Sequence, residues 1–72
     1  ALLLVLGELE RSHGRLDASE EHLLQAAMLA ARDGDGAPDW LAAEASLAHT
    51  LFRAGRYVPA RDRLAGVLAR FD

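Results

Sequence analysis

The chain states one pattern twice at a fixed offset. Leu6-Gly7 returns as Leu47-Ala48, Gly14-Arg15-Leu16 returns as Gly55-Arg56-Tyr57, and Ser19, Leu23 and Ala26 return as Ala60, Leu64 and Val67. A recurrence with a period of about 20–50 residues, each unit holding two helical stretches, marks stacked helical hairpins, because one such unit cannot bury its apolar face alone. Exact matches are few: Ala1/Ala42, Leu6/Leu47, Gly14/Gly55, Arg15/Arg56 and Leu23/Leu64. The signal lies in placement. Small residues fall where two helices must touch, large apolar ones follow one or two turns later, and a glycine stands where the chain must reverse.

Local chemistry divides the chain into four helices, at about 1–13, 17–32, 39–54 and 58–71. Gly14 ends the first, and Asp17 with Glu20 has the spacing of a capping box that would start the second. The cluster Asp33-Gly34-Asp35-Gly36-Ala37-Pro38 breaks the chain, after which Asp39 can cap a helix beginning at Trp40. Gly55 closes the third helix, and Pro59 is tolerated because it falls in the first turn of the fourth. Short turns at Gly14 and Gly55 fold each helix back on its predecessor, so each half is an antiparallel hairpin. Gly7 opposite Ser19, and Ala48 opposite Ala60, would allow close approach, with Leu6, Leu23, Leu47 and Leu64 filling the space beside them. The expected fold is all-α: one domain over 1–72, with one unit at about 1–36 and another at about 37–72.

A chain of 72 residues buries only about 60% of the surface its unfolded form exposes, so it has no margin for a large cavity. Its apolar fraction of 51% against 26% charged fits a soluble helical protein rather than a disordered one. The net charge of −3, with eight scattered arginines as the whole basic set, speaks against nucleic acid, which needs a clustered cationic face. Without cysteine there is no disulfide, thiolate metal site or cysteine nucleophile. The run Ala1-Leu2-Leu3-Leu4-Val5-Leu6 is too short to cross a bilayer and lacks the cationic start and cleavage site of a secretory signal, so it reads as a buried helix. The missing initiator methionine and an end directly after a helical pattern suggest an excerpt from a longer protein.

These residues resemble the tetratricopeptide repeat, whose signature runs W-x2-L-G-x2-Y, then A-x3-F, then P. In the first unit Leu6-Gly7 and Leu23 fit, while Leu3, Glu10 and Ser19 stand where the tryptophan, tyrosine and alanine would be. In the second, Leu47-Ala48, Leu51, Ala60 and Leu64 fit, and Glu44 replaces the tryptophan. The closing proline is absent from both. The spacing is longer than the standard one and is similar to the longer-helix variety of kinesin light chains and many bacterial regulatory proteins. A plain four-helix bundle is the competing architecture.

The resemblance implies that the first helix of each hairpin lines a concave groove for an extended peptide or a partner helix. The matching positions are Leu4, Glu8, Arg11 and Ser12 from the first unit, and Ala45, His49, Phe52 and Arg53 from the second. The competing reading is that two repeats are too few to form a groove. The lysine and asparagine clamp of chaperone-binding members is missing, with Leu4 and Glu8 in its place.

Nothing in the chain spells out catalysis. His13, His22 and His49 are never three or four residues apart, as a helical metal site requires. His22 follows Glu20 and Glu21 and reads as an exposed histidine on a charged face; His13 suits a helix C-terminus. Asp33-Gly34-Asp35-Gly36 lacks the ligand spacing and terminal glutamate of a calcium loop and reads as a turn. Ser12 and Ser19 have no activating base at a predictable distance. Trp40 covers the end of the preceding hairpin rather than anchoring a partner. The expectation is a non-catalytic interaction scaffold without metal or cofactor, binding protein or peptide, with self-association through its apolar end helices. Its composition suggests a bacterial, cytoplasmic setting away from nucleic acid and membrane. Two alternatives are an oligomerisation or sensor module of a transcription regulator and a helical appendage of an enzyme.

Overall fold

The computed structural model describes residues 2–32 and 38–70; the calcium-loop-like stretch, 33–37, lies outside them. The fold is all-α, with four helices and no strand among the described residues: α1 Leu2–Ser12, α2 Leu16–Ala31, α3 Pro38–Arg53 and α4 Tyr57–Ala69.

The two hairpin turns are built alike. Gly14 and Gly55 sit at φ +79° and +80°, the left-handed region that only glycine enters without cost. In the first, the Gly14 amide donates to the Arg11 carbonyl (3.0 Å) and the Arg15 amide to that of Glu10 (2.8 Å). In the second, Gly55 donates to Phe52 (3.0 Å) and Arg56 to Leu51 (2.9 Å). Each is a Schellman motif. Arg15 and Arg56 then serve as the caps of the next helices, with φ/ψ of −87°/70° and −93°/73°. Their carbonyls accept from the Ser19 and Ala60 amides.

This geometry corrects the expected capping box. Because α2 starts at Leu16, Asp17 falls inside the first turn and the cap is Arg15, which makes no side-chain capping bond. Asp17 is left to favour the helix through its charge near the positive end of the dipole. Likewise α3 begins at Pro38, where a proline's fixed φ suits the first helical position, so Asp39 stands within the first turn rather than before it. Pro59 occupies the first turn of α4, as expected.

The helices form a slab, 33 × 26 × 13 Å between Cα extremes. Two layers of helices with axes 8–10 Å apart and Cα radii near 2.3 Å account for about 13 Å. Packing runs α1 on α2, α2 on α3 and α3 on α4, with a smaller contact of α1 with α3; α4 has backbone neighbours only in α3 among the described helices. The core lies around α2 and α3. Leu23, Leu47, Leu51 and Ala60 form one buried cluster, backed by Leu4 and Leu24, and Ala26, Ala27 and Ala43 form a second, backed by Leu3 and Leu4.

The expected filler residues split. Leu23 and Leu47 are 0% and 1% exposed, whereas their repeat partners Leu64 and Leu6 are 48% and 38% exposed. The cause is position in the array: Leu23 and Leu47 face each other's hairpin, while Leu64 and Leu6 point away from the junction. For the same reason the apolar opening run is not a buried helix. Gly7 is the only buried residue of α1, and Leu2, Val5, Leu6 and Leu9 are exposed along it.

Candidate partner-binding groove

The junction between the hairpins is a satisfied polar seam. The Arg11 guanidinium donates to the Ser46 carbonyl (3.0 Å), the Ser46 hydroxyl (2.8 Å) and Thr50 Oγ1 (3.4 Å). Ser19 Oγ lies 3.0 Å from Thr50 Oγ1 and donates to the Gly7 carbonyl at 2.7 Å. With the Ser19 proton committed to Gly7, Thr50 donates to Ser19, so one chain of bonds runs from Arg11 on α1 through Thr50 on α3 and Ser19 on α2 back to α1. Ser46 also reaches Glu8 Oε2 at 3.4 Å. Among the described residues no buried side-chain nitrogen or oxygen lacks a partner.

Polar side-chain pairs fix the hairpins around this seam. His22 Nδ1 lies 2.6 Å from Glu10 Oε1, with both side chains largely covered, which corrects the expectation of an exposed histidine: its carboxylate comes from the neighbouring helix, not from Glu20 or Glu21. Arg63, the repeat equivalent of His22, holds the buried carboxylate of Glu44 at 3.0 Å. Glu20 pairs instead with Arg56 of the second turn. Among the described residues no three His, Asp or Glu side chains come together as a metal would require.

Trp40 is buried beneath α4, with the Arg70 guanidinium 5.8 Å from its ring centroid. It shares a cleft with Ala31 at the end of α2 and Glu44. That placement packs it mainly against α4 of its own hairpin, with Ala31 the one residue of the preceding hairpin in the cleft.

The opposite surface of the second hairpin holds an open groove of about 610 Å³. Its α3 wall is Ala45, Ala48, His49 and Phe52, and its α4 wall includes Ala60, Leu64, Ala65 and Leu68. Phe52 and Tyr57 close the end nearest Gly55 in an edge-to-face pair, with ring centroids 5.2 Å apart at 65°. Ala48 and Ala60 are buried at its floor, while Phe52, Tyr57, Leu64 and Leu68 stay exposed. The geometry follows from the sequence: small residues at the helix crossing let the backbones approach, and the large side chains one turn away are splayed to either side.

The eight residues expected in a groove therefore separate. Ala45, His49 and Phe52 come together here with the α4 wall; Arg53 is exposed just beyond, at the end of α3. Leu4 and Arg11 are instead taken up in the junction, Leu4 against both core clusters and Arg11 in the polar seam. Glu8 stays at the seam's exposed edge, 4.0 Å from Arg11, and the Ser12 hydroxyl bonds its own helix at the Leu9 carbonyl. The α4 wall escaped the sequence reading, although Tyr57, Ala60, Leu64 and Leu68 form a stripe at helical spacing. The seam also escaped it, since Ser46 and Thr50 carry no local signal of a partner on α1.

No helix among the described residues is long and apolar enough to cross a membrane. No family model, curated protein or solved structure matches the chain.

Proposed function

We propose that this chain is a non-catalytic protein-interaction module of the tetratricopeptide-like kind, and that the α3–α4 groove takes a peptide or helix of a protein partner. The observation that carries this reading is the concentration of exposed Phe52, Tyr57, Leu64 and Leu68 around one concave surface. Isolated exposed apolar residues are ordinary, but a contiguous rimmed patch on a small domain marks a binding surface. His49 and Arg61 at its edge supply the few polar groups that orient an apolar ligand. The doubled hairpin and its small-residue crossings support the repeat-like reading, and the polar groups of the seam are occupied in holding the hairpins together.

The test is a selection from a displayed library of linear and helix-forming peptides against the immobilised chain, followed by NMR mapping of the binders. Binding is expected to shift the signals of Ala45, His49, Phe52 and Leu64, and Phe52→Ala or Leu64→Glu should abolish it. Binders that map to another face, or a library that yields none, would reject the groove as the interaction surface.

A further inference from the structure

The groove has an equivalent in the same molecule that is already filled. Shifted back by one repeat, Ala45, Phe52, Ala60, Leu64 and Leu68 become Leu4, Arg11, Ser19, Leu23 and Ala27. That is the surface on which α3 is seated: Leu4 and Leu23 pack in the cluster with Leu47, Ala27 packs with Ala43, and Arg11 and Ser19 bond Thr50. The ridge that α3 lays into it is Ala43, Ser46, Leu47 and Thr50, all buried. Shifted back by the same repeat, this ridge is Leu2, Val5, Leu6 and Leu9, the exposed stripe of α1. One molecule thus carries a filled groove with its ridge, and also an open groove and an unpartnered ridge at the two equivalent positions.

The chemistry of the open pair has changed on both sides together. In the filled junction Arg11 meets Ser46 and Thr50, and Ser19 meets Thr50. At the equivalent open positions the groove offers Phe52 and Ala60, and the ridge offers Val5 and Leu9. Arg11, Ser19, Ser46 and Thr50 are each replaced by an apolar residue opposite another apolar one, while Glu8 at the exposed edge becomes the exposed His49, so no buried polar group would be orphaned if the two surfaces met. Size changes in the same sense at the middle of the groove, where Leu4 and Leu24 give way to Ala45 and Ala65 while the ridge grows from Ser46 and Thr50 to Val5 and Leu9.

Resting on the reading of the α3–α4 groove as a helix-binding surface, we propose that its occupant is α1 of a second copy of this chain, seated as α3 is seated on the first hairpin. The contact is heterologous: each copy gives its ridge to one neighbour and its groove to another. Such contacts build open chains unless the rotation happens to close a ring. This differs from a two-fold dimer, in which like faces would meet.

The experiment is sedimentation velocity on the full chain and on two single variants, Leu9→Glu on the ridge and Leu64→Glu on the groove, with circular dichroism to confirm that each is folded. Both positions are half exposed, so the fold should tolerate the change; Val5→Arg and Leu68→Glu are the replacement pair if either variant unfolds. The unaltered chain should grow beyond a dimer as its concentration rises through the micromolar range. A charge placed in a fully apolar contact should weaken association by roughly tenfold or more, leaving each variant alone no larger than its monomer over that range. Mixed in equal amounts, the variants should form a one-to-one complex and stop there, because the intact ridge of Leu64→Glu fits the intact groove of Leu9→Glu. A strictly monomeric parent chain, association by either variant alone, or a mixture that fails to pair would overturn the proposal. If the copies fail to pair but groove-dependent peptides are still selected, the groove stands and this occupant falls; if neither occurs, both readings fall.

Discussion

Gly7 and Gly66 both lie inside helices, and the same added methyl group should move them in opposite directions. A Cβ on Gly7 would sit 2.5 Å from Leu23 Cγ and 2.6 Å from its Cδ2, and Leu23 is wholly buried in the core cluster with Leu47, Leu51 and Ala60. The gain of about 1 kcal/mol in helix propensity is outweighed by overpacking of roughly 1–3 kcal/mol. A Cβ on Gly66 meets nothing within 4 Å, so Gly66→Ala keeps its gain of about 0.5–1 kcal/mol. Urea denaturation should show a lowered midpoint for Gly7→Ala and a raised one for Gly66→Ala; the same sign for both would refute the close approach of α1 to α2. Thr50 is a second residue whose role is specific. Thr50→Val keeps the shape but removes both the donor to Ser19 and an acceptor for Arg11, at a cost of about 1–2 kcal/mol. Arg11→Met removes the other end of the same chain of bonds. Because the two act through shared partners, the double variant should lose measurably less than the two single losses combined. Strict additivity in the double-mutant cycle would show that the seam is a set of independent contacts.

At the level of elements, each hairpin turn is specified by one glycine and the residue after it. Gly14-Arg15 and Gly55-Arg56 end one helix and begin the next without a side-chain cap, which is why the helix count was legible in the sequence and the capping box was not. The glycine constrains φ directly, whereas Asp17 and Glu20 only offered a capping arrangement that the Schellman geometry made redundant by starting α2 one residue earlier. The crossings were legible for the same kind of reason: Gly7, Ser19, Ala48 and Ala60 are small, and all four are buried. The candidate site was half legible. Its α3 wall came from a position carried across the repeat, but Leu4 and Arg11 at the corresponding positions of α1 are occupied by α3, and no local pattern in α1 distinguishes an occupied surface from a free one. That distinction depends on order in the array. It also makes a quantitative expectation for α4: Ala60→Leu should cost roughly 1–3 kcal/mol, because the residue is buried at the crossing with α3. Ala65→Leu, on an exposed helix surface, should cost little. Comparable losses in chemical denaturation would mean that α4 presents a different face to α3.

Across the whole molecule, order in the array decides where stability resides. In a closed four-helix bundle every helix faces a common core, whereas here α4 has backbone neighbours only in α3 among the described helices. Complete burial follows the same gradient: α3 buries eight residues and α2 four, but α1 buries only Gly7 and α4 only Ala60. In a linear array of units, stability is close to a sum of unit and nearest-neighbour terms, so end helices can open without breaking the central interface. Amide exchange in dilute solution should therefore be slowest in α2 and α3, around Leu23, Leu47 and Thr50, where both hairpins and the polar seam contribute. The amides of α1 and α4 should exchange faster through partial openings that leave the α2–α3 contact intact. The gradient has a built-in control in the repeat itself, since Leu6 and Leu47, or Leu23 and Leu64, have the same side chain and differ only in whether another hairpin covers them. If all four helices were protected to the same degree by global unfolding alone, these paired positions would be energetically equivalent, and the open order of packing would not be what stabilises the chain.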